Sequence, residues 1–253
     1  MNVAATTDDT DHEERTDVPA AAEAGARRRA PGRIAMAVSV FGELLITAGL
    51  VLGLFVAYSL WWTNVVADRT ANKQADKVRD HWAQDTGPGA LDTKDGIGFL
   101  HVPSMKNGEV LVEKGTSTKV LNDGVAGYYV DPVKATLPMS NKVGNFAVAA
   151  HRDGHGAKFH NIDKVRKGDA IVFETKDKWY VYKVYDILQE TSKFNVKVLA
   201  QVPKESGKKK PGHYITLTTC TPVYTSLYRY VVWGELVRVD KVDSKRTPPK
   251  ELS

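Results

Sequence analysis

One apolar run stands out along the chain. From Leu44 to Ala67 no residue is charged, and the apolar pattern reaches back to Ile34 with Glu43 as its only charge. At a rise of about 1.5 Å per residue, about 20 residues cross the hydrocarbon layer, so the run predicts a membrane-spanning helix. Glu43 then lies near one end, within reach of the headgroups, and Tyr58, Trp61 and Trp62 lie at the other, where amphipathic rings anchor. Val65-Val66-Ala67 loosely resembles a signal-peptide cleavage site. A signal peptide, however, needs an apolar region of only about 7–15 residues. The longer run favours a retained signal anchor.

Residues 68–92 are polar and weakly periodic, as in a short helix or stalk, and the folded domain is expected from about Asp95. From there the pattern predicts strands at Gly98–Val102, Glu109–Glu113, Asn145–Ala150, Ala170–Glu174, Trp179–Leu188, Val196–Val202, Tyr214–Thr219 and Tyr228–Val239. Lys176-Asp177-Lys178 reads as a hairpin turn, and helix is confined to Thr118–Asn122 and a turn around Lys158–Val165. Eight strands with little helix predict an all-β domain, a closed or nearly closed barrel. The expected organisation is a disordered cytoplasmic tail (1–33), a transmembrane signal anchor (34–67), an extracytoplasmic stalk (68–94), a catalytic domain (95–242) and a polar C-terminal tail (243–253). There is neither an internal repeat nor a Gly-rich phosphate loop.

Charge orients the anchor. Arg27, Arg28, Arg29 and Arg33 flank its N-terminal side, which the positive-inside rule places in the cytoplasm, leaving everything after residue 67 outside. Residues 1–26 carry seven acids against Arg15, a composition that does not fold. The whole chain has a net charge of +5, yet residues 68–253 hold 30 Lys and Arg against 22 Asp and Glu. A basic exterior domain suits an anionic envelope or membrane surface; it equally describes a solubilising surface, as Lys208-Lys209-Lys210 in its Gly- and Pro-flanked loop does. No aromatic-interleaved basic stripe points to nucleic acid.

Candidate chemistry starts from Cys220, the only cysteine. A lone thiol makes no internal disulfide, so it is there for packing, by chance or for reactivity, and the fold rests on core burial. Thr218, Thr219 and Thr221 put this one at the hydroxyl-rich end of a strand that Pro222, with no N–H for the ladder, must terminate. If that strand pairs with the one starting near Tyr228, Arg229 comes beside Cys220, where a guanidinium can hold a carbonyl oxygen as charge develops or dock a substrate backbone. His151, directly after the apolar run Phe146–Ala150, is a base or acid for the thiol, or a structural hydrogen-bonder. His155 and His160 nearby raise a zinc reading, which Gly154 and Gly156 weaken by breaking the helical spacing.

These residues carry a resemblance. Thr216-Leu217-Thr218-Thr219-Cys220, Arg229 nine residues on, and Asn145–Arg152 upstream resemble the sortase family of cysteine transpeptidases over roughly residues 95–240. Thr219-Cys220-Thr221-Pro222 followed by Tyr228–Gly234 looks most like the class E sortases of high-GC Gram-positive bacteria. The resemblance implies an eight-stranded β-barrel in which Cys220 attacks the carbonyl after threonine in a C-terminal sorting signal of a secreted protein, forming a thioester. An amine of the peptidoglycan cross-bridge, or of its lipid-linked precursor, then resolves that thioester. His151 is implied as general acid and base, Arg229 as support for oxyanion and substrate, and Thr219 as part of the substrate groove. Class E implies Leu-Ala-x-Thr-Gly signals in place of Leu-Pro-x-Thr-Gly, with a tyrosine in that preference; Tyr128 and Tyr129 are candidates for it, or core residues. No calcium cluster stands out, so no cofactor is implied. Two other classes share parts of this pattern: a thiol hydrolase of surface peptides and a non-catalytic, wall-binding β-domain.

Overall fold

The computed structural model describes residues 32–84 and 96–252. The apolar run forms helix α1 (Arg33–Ala57), with no buried residue, continued by a π-helical stretch at Tyr58–Trp62 and by helix α2 (Thr63–Gln84). With a mean hydropathy of 2.2 in its apolar window, this helix is long and apolar enough to cross a membrane. The tail expected at 1–33 lies, up to residue 31, outside the described residues, as does the expected stalk from residue 85. Asp68–Gln84 belongs to α2, whose Ala71, Val78 and Trp82 are buried against Phe99, Leu111 and Val125.

The strands are β1 (Gly98–His101), β2 (Glu109–Lys114), β3 (Ala126–Tyr128), β4 (Gly144–Ala149), β5 (Ala170–Glu174), β6 (Lys178–Ser192), β7 (His213–Thr221) and β8 (Tyr228–Lys241). They close in the order β1-β2-β3-β4-β7-β8-β6-β5, with β2–β3 and β4–β7 parallel and the other pairs antiparallel. The eight-stranded closed barrel read from the sequence is therefore the fold, with one strand exchanged. Val196–Val202 is not a strand: Val196–Leu199 is a 3-10 turn, started by the Asn195 side chain accepting from the Lys197 N–H at 3.3 Å. The Trp233 indole N–H donates to the Val198 carbonyl at 3.0 Å, and Val198 and Leu199 pack on Ala147, Val231 and Trp233. These apolar side chains cover the outside of the sheet instead of extending it. The unpredicted strand is β3, three residues long and too short to show alternation.

Period-two alternation decides which residues face the interior. Phe146, Val148, Ile215, Leu217, Tyr230 and Val232 fill the main core, while Ala147, Val231 and Trp233 belong to the outer cluster. Both faces of β4 are thus covered, which is why its sequence is continuously apolar instead of alternating. Helix α3 (Thr118–Leu121) starts at Ser117, whose hydroxyl accepts from the Val120 N–H at 3.4 Å.

Candidate active site

The strand ladder assembles the three candidate side chains. In the β7–β8 register Cys220 faces Arg229 directly, in line with Thr218 facing Val231 and Thr216 facing Trp233. Since Val231 and Trp233 lie on the outer face, Cys220 and Arg229 do as well. In the parallel β4–β7 register Ala149 faces Thr218, and His151 follows two residues beyond that last rung, at the strand exit. All three side chains line one open cleft of about 890 Å³, together with Leu60, Tyr129, Thr218, Thr219 and Tyr224 among others.

Each group has a distinct setting. Cys220 is half-buried and its thiol free. Arg229 is exposed enough to reach a ligand: among the described residues its hydrogen bonds run to the backbone carbonyls of Tyr228 (2.9 Å) and Ser226 (3.3 Å). One ring nitrogen of His151, Nε2, lies 2.9 Å from Asn122 Oδ1, and its ring lies tilted by 32° beside that of His155, with centroids 5.4 Å apart. Burial, and then the proximity of His155, hold the His151 imidazole below its ordinary pKa, with Asp153 opposing. His151 is therefore biased toward the neutral form, able to accept a proton. His160 turns away, its Nδ1 2.8 Å from the Arg152 carbonyl, so the three histidines of the loop do not converge.

The two tyrosines considered for substrate separate by alternation. Tyr128 pairs with Val148 and packs in the barrel core, outside the cleft lining, because its side chain points inward. Tyr129, the next residue, points out into the cleft, its hydroxyl 2.9 Å from Thr218 Oγ1. Burial raises the Tyr129 pKa; the Thr218 hydrogen bond and the Arg229 charge act against it. Thr219 also lines the cleft, but its hydroxyl donates to the Ala150 carbonyl at 2.7 Å. It stitches β7 to the end of β4 and offers the cleft shape more than a free donor.

Two further residues carry the site without having been singled out in the sequence. Asn122, at the C-terminal cap of α3, is the partner of His151. Arg152 is 6% exposed and donates to Thr221 Oγ1 at 2.8 Å, with Asp163 Oδ1 at 3.3 Å from its other terminal nitrogen. It therefore ties the residue after His151 to the residue after Cys220. The only hint in the sequence is an arginine next to a strand-end histidine. Across the cleft mouth, the Tyr224 N–H donates to Asp153 Oδ2 at 2.6 Å, joining the loops that follow β4 and β7.

A second polar cluster lies elsewhere on the barrel. His101, Glu109 and Glu174 place ligand atoms within 4.8 Å of one another, a spacing a metal would accept. Their surroundings fit an ion-pair network better: Glu174 accepts from Arg246 at 2.6 Å and from Arg79 at 3.4 Å, His101 Nε2 is 2.9 Å away, and Arg79 also pairs with Glu109. Two guanidinium charges already occupy the space a cation needs.

The sequence matches the sortase domain family over residues 100–237. It is 73% identical to sortase SrtE2 of Streptomyces coelicolor, across 98% of this chain and 99% of that protein. Sortase SrtE1 of the same organism is 46% identical, across 90% of this chain and 65% of that one. The fold matches the crystal structure of sortase E1 from Streptomyces coelicolor with a tripeptide in the active site at a TM-score of 0.58 and 46% identity, covering 62% of this chain and 96% of that one.

Proposed function

The chain belongs to the sortase family, as a cysteine transpeptidase of class E, and from that premise we propose that it attaches secreted proteins to the cell wall with Cys220 as nucleophile. The observation that carries this reading is the ladder: one register makes Cys220 and Arg229 facing neighbours, and another brings His151 to the same cleft. A strand-end thiol beside an imidazole and a guanidinium has the parts acyl transfer requires.

The Cys220 thiol gives its proton to His151 as its sulfur adds to the carbonyl carbon of threonine in a Leu-Ala-x-Thr-Gly or Leu-Pro-x-Thr-Gly type signal. Arg229, held by two backbone carbonyls, has N–H groups left to meet the oxygen as it becomes negative. The C–N bond to glycine breaks, and the leaving amine takes its proton from His151. The thioester is then attacked by an amine of the peptidoglycan cross-bridge or its lipid-linked precursor, which gives its proton to His151 while sulfur departs. Tyr129, facing the cleft beside Thr218, supports a role in signal recognition. The chain is anchored by its apolar helix with residues 1–33 in the cytoplasm and the catalytic domain, 95–242, outside.

The test offers a sorting-signal peptide with and without an amine acceptor. Transpeptidation is expected: ligated product rises with amine at the expense of hydrolysed peptide. Hydrolysis indifferent to amine identifies a thiol hydrolase instead, and wall binding retained by Cys220→Ala in a protein that never cleaves the peptide identifies a non-catalytic module.

A further inference from the structure

The helix reaches into the site from the C-terminal end of its apolar run onward. Leu60 lines the cleft that holds Cys220, His151 and Arg229. Four residues on, Asn64 Oδ1 accepts the backbone N–H of Gly156 at 2.9 Å; four more on, Asp68 Oδ1 receives Lys158 Nζ at 2.9 Å. Spacing by four puts these three on one helix face. Ala67, 2% exposed, lies beside them.

Two glycines are shaped to this face. A Cβ at Gly124 would meet the Ala67 carbonyl oxygen at 2.8 Å, and one at Gly156 would meet Asp68 Oδ1 at 2.9 Å. Their φ values, +76° and +78°, are also ones that a side chain disfavours. Both glycines belong to segments that hold His151. Gly124 lies two residues after Asn122, which bonds His151 Nε2. Gly156 is adjacent to His155, whose ring lies tilted against that of His151. The helix therefore bears on His151 from both sides, through the end of α3 and through the loop 152–160.

We propose that Asn64 and Asp68 are positioning residues for the transpeptidation: they clamp the loop 152–160 so that His151 is held between Asn122 and His155 at the cleft. The inference rests on the reading that His151 moves the proton. Besides Asn122, the titratable and charged groups facing His151 are His155 and Asp153 on its own loop and Cys220 and Arg229 across the cleft. Freed from the helix, the loop would carry His155 away and admit water, removing both causes that lower the His151 pKa.

The test uses the full chain in lipid nanodiscs, with ligation of a sorting-signal peptide to an amine and histidine titration by NMR. Asn64→Ala with Asp68→Ala is expected to lower kcat between about ten- and a hundredfold, the scale on which a misplaced catalytic group costs rate. KM should stay within about twofold, because Tyr129 bonds Thr218 and Arg229 bonds the Ser226 and Tyr228 carbonyls, none of them a partner of Asn64 or Asp68. The His151 titration should move to higher pH, which a purely stabilising role would not cause. Asp68→Lys should lose rate as well, and Asp68→Lys with Lys158→Asp should regain most of it. A double alanine variant with wild-type kcat and an unmoved His151 titration overturns the proposal. Wild-type activity in His151→Ala sinks the underlying catalytic reading instead, so the two failures are told apart.

Discussion

The cleft around Cys220 and the cluster around Glu174 use similar side chains, histidine, arginine and one further ionisable group, in opposite ways. At Glu174, 2% exposed, His101, Arg79 and Arg246 all converge on one carboxylate. Burial alone would raise its pKa, but the hydrogen bonds from His101 and Arg246 and the charge of Arg79 hold it at about 2, against an ordinary 4.5. In the cleft, by contrast, the thiol of Cys220 is free and Arg229 bonds backbone carbonyls, so neither is consumed by the other. Saturated partners make a fastening; facing but unspent partners leave capacity for a substrate. The difference teaches that composition does not separate a catalytic cluster from a structural one, whereas the census of hydrogen bonds does.

Four measurements would break or sharpen that contrast. The largest effect is expected from Cys220→Ala, which should abolish thioester formation, a fall of at least about 10⁴-fold in rate, while shifting stability by less than about 1 kcal/mol. Mass spectrometry for the acyl-enzyme and a thermal melt check both halves. Glu174→Ala should do the reverse: Arg79, Arg246 and His101 lose their common partner, costing about 3 kcal/mol in urea unfolding, with turnover per folded molecule within about twofold. Equal activity losses in the two variants would erase the distinction between the clusters.

Arg229→Ala comes next, with kcat/KM falling by about 10²–10³ as the developing oxyanion loses its donor, and with Arg229→Lys recovering only part because one ammonium cannot reproduce the fork. The smallest is a pH effect. A carboxyl depressed on folding contributes stability above its unfolded pKa and loses it as pH falls toward the folded one. The Glu174 contribution should therefore be intact above about 4.5 and disappear between there and about 2. Urea midpoints across that window should drop more steeply for the wild type than for Glu174→Gln.

Much of the site was readable in sequence because its signals are local. Pro222 fixes the end of β7, the apolar run through Ala150 fixes the strand exit where His151 stands, and short spacing makes β7 and β8 antiparallel partners. Alternation could also have separated Tyr128 from Tyr129, had β3 been recognised. A strand of three residues carries no periodicity, however, and its place in the count was taken by Val196–Val202, whose apolar side chains plug a sheet face. The Glu174 network was illegible for another reason. His101 and Glu109 face each other across the local β1–β2 pair, but Arg79, Glu174 and Arg246 come from segments far apart in sequence and join them only in the folded domain. Asn122 and Arg152 were hidden likewise, as residues defined by what they touch.

The pairing of Cys220 with Arg229 as facing rungs relieves the hairpin turn between them of any duty to hold them apart. The strand rung, and not residues 222–227, sets the separation of the two backbones, and the turn adds to it the Ser226 carbonyl on Arg229 and the Tyr224 N–H on Asp153. Selection, or an engineer grafting turns between homologues, can thus vary the side chains of the turn while its backbone contacts and the rung of Cys220 and Arg229 stay unaltered.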